Sequence, residues 1–84
     1  MHFFVYILRC SDNSLYTGIT LDINRRLDEH NNSDRLASAY TRARRPVKLV
    51  YHESHDDRAA ATRREIVIKK MTKVEKEELI NENK

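Results

Sequence analysis

The chain contains one cysteine, one glycine, one proline and no tryptophan. A lone Cys10 excludes an internal disulfide and any zinc cluster built on several thiolates. It reads as a small hydrophobe at a strand end. Single Gly and Pro residues exclude collagen-like and linker-type compositions. No hydrophobic run approaches the roughly 18 residues of a membrane-spanning helix. No basic stretch leads into an apolar one with a small-residue cleavage site, so no secretory leader is expected. These absences predict a protein of a reducing cytosol with no membrane partner. The 84 residues leave room for a single domain, 1–84. A chain this short buries only about 60 to 65% of the surface it exposes when unfolded.

One stretch also lacks acid. Residues 35–48 carry Arg35, Arg42, Arg44, Arg45 and Lys48 with no Asp or Glu, net +5. Residues 1–34 are net −2 and residues 49–84 are balanced, which returns the overall +3. Clustered cations attract a polyanion at low salt. The plainer alternative is a solvated loop that is basic without consequence.

The apolar pattern predicts an α+β fold. The run FFVYIL within His2–Arg9 reads as a central strand buried on both faces. Ser11 to Ser14 form a turn cluster. The β-branched and aromatic stretch LYTGIT at Leu15–Thr20 completes a hairpin. Asp22 caps a helix to about Asn31, with Ile23 and Leu27 as its apolar pair. Residues 32–46 form a long basic loop that has room for a short helical turn and ends at Pro46. Val47–Glu53 is a third strand with Val47, Leu49 and Tyr51 on one face. Ser54 with Asp57, and Thr72 with Glu75, are capping signatures opening helices to about Met71 and about Ile80. In the first of these, Ala60, Ala61, Val67, Ile68 and Met71 define an apolar arc; in the second, Val74, Leu79 and Ile80 provide the packing contacts. The order is β-β-α-β-α-α, a three-stranded antiparallel sheet flanked by helices on both faces.

Several polar residues fall where packing alone does not require them. Tyr6 and Tyr16 lie on paired strands, and a hairpin can bring both phenols to one side; ordinary core packing would explain either alone. Gly18 follows Tyr16 by two and leaves space on the same strand face. Arg26 and His30 share a helix face at i, i+4, with Asp22 a turn earlier. They form a surface ladder, or they aim a guanidinium and an imidazole at one phosphate. Arg64 projects from the centre of the apolar arc and Glu65 from its edge. They are a structural ion pair, or Glu65 is a metal carboxylate with Arg64 in a supporting role. One carboxylate suffices for a Mg²⁺ that keeps its waters and binds phosphate oxygens. No Asp-x-Asp pattern accompanies it, which excludes a two-metal site. His52 and His55 read as exposed loop residues, and with His2 and His30 they lack zinc spacing.

The ordered set VYI at 5–7, YTG at 16–18, ITLDINRRLDEHN at 19–31 and ATRREIVIK at 61–69 resembles the GIY-YIG nuclease superfamily. The stretch AYTRARRPVKLVY at 39–51 is similar to small stand-alone bacterial members. The first motif has Phe4-Val5-Tyr6 for Gly-Ile-Tyr, and the second has Thr17 for Ile; Tyr6, Tyr16 and Gly18 remain. The resemblance implies metal-dependent phosphodiester hydrolysis in DNA, ahead of RNA, with one Mg²⁺ or Mn²⁺, in repair or recombination. It implies Tyr6 as general base or water-positioner and Tyr16 as its partner. Arg26 would act on the phosphate, His30 would assist proton transfer, and Glu65 would hold the metal. Arg26 fits better than Arg25 because it immediately precedes Leu27. A family Asn near the end of the domain would fall at Asn81 or Asn83. A phenol's pKa near 10 must be lowered for Tyr6 to act as a base at neutral pH. Arg42, Arg44, Arg45 and Lys48 would track the backbone by charge, while Gly18 and Arg64 serve structure. Two alternatives stand beside the nuclease: a nucleic-acid-binding module of the same fold without turnover, and an interaction domain whose site residues are structural.

Overall fold

A computed structural model describes residues 2–82; Asn83, one of the two candidates for the family Asn, lies outside them. The run FFVYIL forms β1 (Phe3–Arg9), whose Val5, Tyr6, Ile7 and Leu8 are all buried. It is the middle strand. It pairs antiparallel with β2 (Leu15–Thr20) on one side and with β3 (Lys48–His55) on the other, giving the order β2-β1-β3. The turn between β1 and β2 closes through Asn13 N–H donating to the Cys10 carbonyl at 2.9 Å. Asn13 sits at φ 70, a left-handed conformation that Asn tolerates.

Alternation along β1 sends side chains to two separate cores. Val5 and Ile7 pack with Tyr51, Ala61, Ile68 and Ile80, under α3 (Arg58–Lys69) and α4 (Lys73–Glu82). Tyr6, Leu8 and Cys10 pack with Val47, Tyr16, Leu27 and Leu49, on the side of α1 (Ile23–Asn32). Each fully buried Ile, Leu or Val contributes about 1.5–3 kcal/mol by leaving water. The fold expected from the sequence, helices on both faces of a three-stranded antiparallel sheet in the order β-β-α-β-α-α, is the fold observed, with one further short helix, α2 (Ala39–Arg42), inside the basic loop. Ser38 caps α2 by accepting from Thr41 N–H at 3.2 Å.

Four local expectations are corrected. Val47, Leu49 and Tyr51 do not share a face. The β1–β3 register passes from Ile7↔Tyr51 to Leu8↔Leu49. Val50 is therefore an extra residue in a bulge, which turns Tyr51 to the α3 core while Val47 and Leu49 face α1. Ser54 does not cap α3; it lies within β3, and Asp57 accepts from Ala60 N–H at 2.8 Å. Val67 and Val74 are exposed at 50% and 68%. The sheet-facing side of α3 is instead Ala61, Arg64, Glu65 and Ile68, with Arg64 and Glu65 both only partly exposed. His52 and His55 are strand residues; His52 packs edge-on against Phe4 and His55 bonds Glu53. The Thr72–Glu75 box does form, each side chain accepting from the other's backbone N–H at 3.2 and 2.9 Å.

Candidate active site

The α1 face of the sheet is where the sequence candidates meet. Tyr6 stands opposite Gly18 in the β1–β2 register. A Cβ at Gly18 would lie 2.5 Å from the Tyr6 hydroxyl, so the missing side chain is what lets the phenol lie across β2. Tyr16 lies on the same face, its ring centroid 6.5 Å from that of Tyr6. His30 comes from the last turn of α1 and is fully buried. Its ring lies 5.2 Å from Tyr16, edge to face, and 6.0 Å from Tyr6.

The polar atoms of this pocket form one chain. The Tyr6 hydroxyl and His30 Nε2 are hydrogen-bonded at 2.8 Å, and His30 Nδ1 and Thr41 Oγ1 at 2.7 Å. Thr41 is fully buried and donates onward to the Ser38 carbonyl at 3.2 Å. With the Thr41 proton given to the Ser38 carbonyl, we assign His30 as a neutral imidazole protonated on Nδ1, which donates to Thr41 and accepts from Tyr6 at Nε2. The electrostatics agree. Burial, and secondarily the Arg26 charge, push the His30 pKa down to about 4. Burial, then Tyr16, push the Tyr6 phenol up to about 12, against an opposing pull from Arg26. The lowering that Tyr6 would need to act as a base at neutral pH is thus not met in the resting protein, because desolvation outweighs the guanidinium.

Arg26 does not join a ladder with Asp22. Asp22 is the N-cap of α1, accepting from Arg25 N–H at 3.0 Å. The Arg26 guanidinium donates to Glu29 at 3.0 Å and to the Leu36 carbonyl at 2.7 Å, placing its charge beside Tyr6 and His30. Glu65 approaches from α3, and its carboxylate is near enough to add to the upward pressure on the Tyr6 pKa. Its partner is Lys69, with Nζ at 3.7 Å. Arg64 does not support Glu65. It bonds Glu53 at 3.1 Å to each carboxylate oxygen, and Glu53 also accepts from Tyr51 and pairs with His55.

The basic residues divide. Arg45 is turned inward: it donates to the carbonyls of His30 at 2.7 Å and Ser33 at 2.9 Å and to Asp34 at 2.7 Å, closing the C-terminus of α1. Arg42 is exposed and donates to the Asp34 carbonyl at 2.8 Å. Lys48 is exposed beside Arg9 on β3, across the central strand from β2. Arg44 lies over the ring of Tyr40, its guanidinium carbon 3.9 Å from the centroid. Sequence reasoning passed over Tyr40, Thr41 and Asn31. Asn31 clamps α1 to the residue that leads into β3, through bonds of 2.8 and 3.0 Å to the backbone of Val47. The available signal was Ser38-x-x-Thr41, a capping pattern inside the loop.

The donor set can be tested against a cation. Among the described residues no three His, Cys, Asp or Glu side chains group as a cage. Glu65 is a single, loosely engaged carboxylate whose side chain is 18% exposed. That fits a hard cation taking its remaining ligands from water and phosphate, as Mg²⁺ does, and not an ion held wholly by protein.

Comparison with known proteins agrees with this geometry. Residues 2–78 match the GIY-YIG catalytic domain. A UPF0213 protein of Syntrophus aciditrophicus is 51% identical over 80 residues, 95% of this chain and 91% of that protein. A UPF0213 protein of Staphylococcus aureus is 47% identical over 94% of both chains. The solution NMR structure of a UPF0213 protein from Bacillus halodurans matches with a TM-score of 0.61 at 37% identity, covering 96% of this chain and 84% of that one. Among the described residues no helix is long and apolar enough to cross a membrane. By its sequence, its sheet and the residues its hairpin and first helix bring together, the chain belongs to the GIY-YIG catalytic domain family.

Proposed function

We propose that this protein is an endonuclease that hydrolyses phosphodiester bonds in nucleic acid, DNA ahead of RNA, with the aid of one divalent cation. The observation that carries this reading is the Tyr6–His30 hydrogen bond of 2.8 Å, set beside the Arg26 charge, with the phenol lying in the space that Gly18 leaves free. Arg26 keeps its charge at any working pH and draws the phosphodiester anion to the pocket. Water donates a hydrogen bond to the Tyr6 oxygen, whose own proton points at His30 Nε2.

A free phenolate is not an accessible intermediate. A phenol pushed up to about 12 by burial and an imidazole pushed down to about 4 make full transfer strongly uphill in the resting protein. The lower-energy course is concerted. As the water oxygen bonds to phosphorus, its proton passes to the Tyr6 oxygen and the Tyr6 proton passes to His30. The ester oxygen departs with the bonding pair and takes a proton from solvent. His30 is then the net base, Tyr6 the relay, and Thr41 holds the Nδ1–H so that the imidazolium is solvated as it forms. The bound anion aids this step, because it offsets the Arg26 charge that otherwise depresses His30. Tyr16 stands edge-on to His30 and fixes its ring. Glu65 would hold the cation, Mg²⁺ or Mn²⁺, which when bound supplies positive charge to phosphate oxygens.

A nucleic-acid-binding module without turnover is the second reading, and the wide separation of the Tyr6 and His30 pKa values favours it. One experiment separates the two. Purified protein is incubated with single-stranded, duplex and branched DNA in Mg²⁺ or Mn²⁺. The wild type cleaves, and Tyr6→Phe and Glu65→Gln each lose at least about 100-fold in rate, the low end of a general acid–base contribution. Cleavage by Glu65→Gln at the wild-type rate removes the metal role. Retained binding with no cleavage of any substrate leaves the binding module.

A further inference from the structure

A stack of planar groups runs outward from the Tyr6–His30 cluster. Tyr40, on α2, lies over Tyr16 with ring centroids 6.0 Å apart and planes at 27°. The Arg44 guanidinium covers Tyr40 in turn at 3.9 Å. Tyr16 meets His30 at 5.2 Å, so the ladder Arg44–Tyr40–Tyr16 ends on the imidazole that bonds Tyr6. Tyr40 remains 38% exposed and the Arg44 side chain 35%.

This stack is held in place. Arg44 Nε donates to Asp12 at 3.2 Å and Nη1 to the Tyr40 carbonyl at 3.0 Å. The Arg44 carbonyl accepts from Ser11 N–H at 3.0 Å, which ties the basic loop to the β1–β2 turn. Two edge donors of Arg44 are therefore committed, and the group is fixed flat on a ring. A guanidinium positioned to grip phosphate would present its edge fork instead. A flat guanidinium over a tyrosine is suited to the face of another planar group. Inside a duplex both faces of a base are covered by its neighbours, so away from a duplex end it is an unpaired base that can add to such a stack.

We propose that Tyr40 and Arg44, stacked on Tyr16, form a nucleobase-stacking subsite that selects strands carrying an unpaired nucleotide beside the phosphodiester held at Arg26. The subsite rests on the nuclease reading for the fate of the bound strand, but its test is binding alone. Anisotropy is measured in EDTA with labelled oligonucleotides of about 12 nucleotides, either oligothymidine or an abasic strand of equal charge, in deoxy and ribo series. Stacking worth about 1–3 kcal/mol per base predicts that the wild type prefers the base-bearing strand roughly 5- to 150-fold in at least one series. Arg44→Lys keeps the charge and loses the plane; Tyr40→Leu keeps bulk and loses the ring. Each lowers that preference below about 3-fold while abasic affinity stays within about 2-fold, because charge attraction is unaltered. No preference in the wild type in either series, or an undiminished preference in both variants, overturns the subsite. A preference that survives when no cleavage is ever seen supports the subsite and refutes only turnover.

Discussion

Behind the α1 face of the sheet, Tyr6, His30, Thr41 and Ser38 are joined as neutral groups; behind the α3 face, Glu53 and Arg64 are joined as charged ones. Both clusters are shielded by helices. On the α1 face, burial pushes His30 down and Tyr6 up, so that neither carries charge near neutrality. On the α3 face, burial works to raise Glu53, but hydrogen bonds from Tyr51, His55 and Arg64 outweigh it and hold the carboxyl below its ordinary range. A chain that rests neutral has a free site on His30 to receive one proton through Tyr6, becoming charged only as that proton arrives. A carboxylate–guanidinium contact in which Arg64 Nε is shared between both Glu53 oxygens holds β3 against α3 and has no proton to give at working pH. Under the proposed nuclease function, the difference puts the proton relay on one face and cohesion on the other.

The strongest way to break this contrast is Arg64→Met, which keeps the aliphatic stem and removes the charge. Losing one partner of a buried pair costs about 3–5 kcal/mol, and partial exposure of both side chains reduces that here to about 2–3 kcal/mol. Urea unfolding should show a lower midpoint at unchanged slope. DNA cleavage per folded molecule should stay within about 2-fold of wild type. A large loss of activity with little loss of stability would mean that the α3 cluster takes part in the chemistry.

Acid separates the two faces by window. His30 is held near 4 in the folded protein against 6.5 unfolded, so the unfolded chain binds more protons between those values. Stability is then complete above about pH 6.5 and falls as the pH drops towards 4, by a total on the order of 2 kcal/mol after allowing for solvent screening and relaxation. Glu53, depressed from 4.5, loses its contribution only as the pH falls below that value. His30→Gln should flatten the curve between pH 6.5 and 4.5 and leave the lower limb. Glu53→Gln should do the reverse. Denaturant titrations across pH 3–8 read both, and equal flattening of both limbs by either variant would show that the faces are one coupled network.

The legibility of the site in the sequence divides along the same line. β1 was legible because six consecutive apolar residues admit few other placements, and the hairpin because LYTGIT succeeds a polar turn. The grouping of Tyr6, Tyr16, Arg26 and His30 was legible because strand alternation and i, i+4 spacing fix their faces, whereas Glu65 on α3 was joined to them only through the family resemblance. The Val50 bulge was not, since one extra residue leaves no mark in composition yet flips Tyr51 to the other core. Arg64 could be seen as an oddity on α3, but its partner could not: Glu53 is 11 residues away on another element. Arg45 looked like surface charge because a count of cations cannot show which donors a helix C-terminus will consume. Thr41 was hidden in a stretch with no apolar period, so the far end of the proton chain emerged only from the fold.

Thr17 gives the smallest and most delicate test of the contrast. It lies opposite Ile7 with Leu15 and Ile19 to either side, on strand positions that face the α3 core. Its side chain is buried, and its hydroxyl is the buried side-chain oxygen without a partner among the described residues. On the α1 face the hydroxyls of Tyr6, Thr41 and Ser38 are all bonded; on the α3 face this one is left over. Burying an unmatched hydroxyl costs about 1–3 kcal/mol, and Val has the same branched shape without it. Thr17→Val should therefore stabilise the protein by about 1 kcal/mol, read as a higher urea midpoint, with cleavage and strand binding unchanged. A destabilised Thr17→Val would mean that the hydroxyl is engaged, and that the α3 face carries a polar function of its own beyond the Glu53–Arg64 clamp.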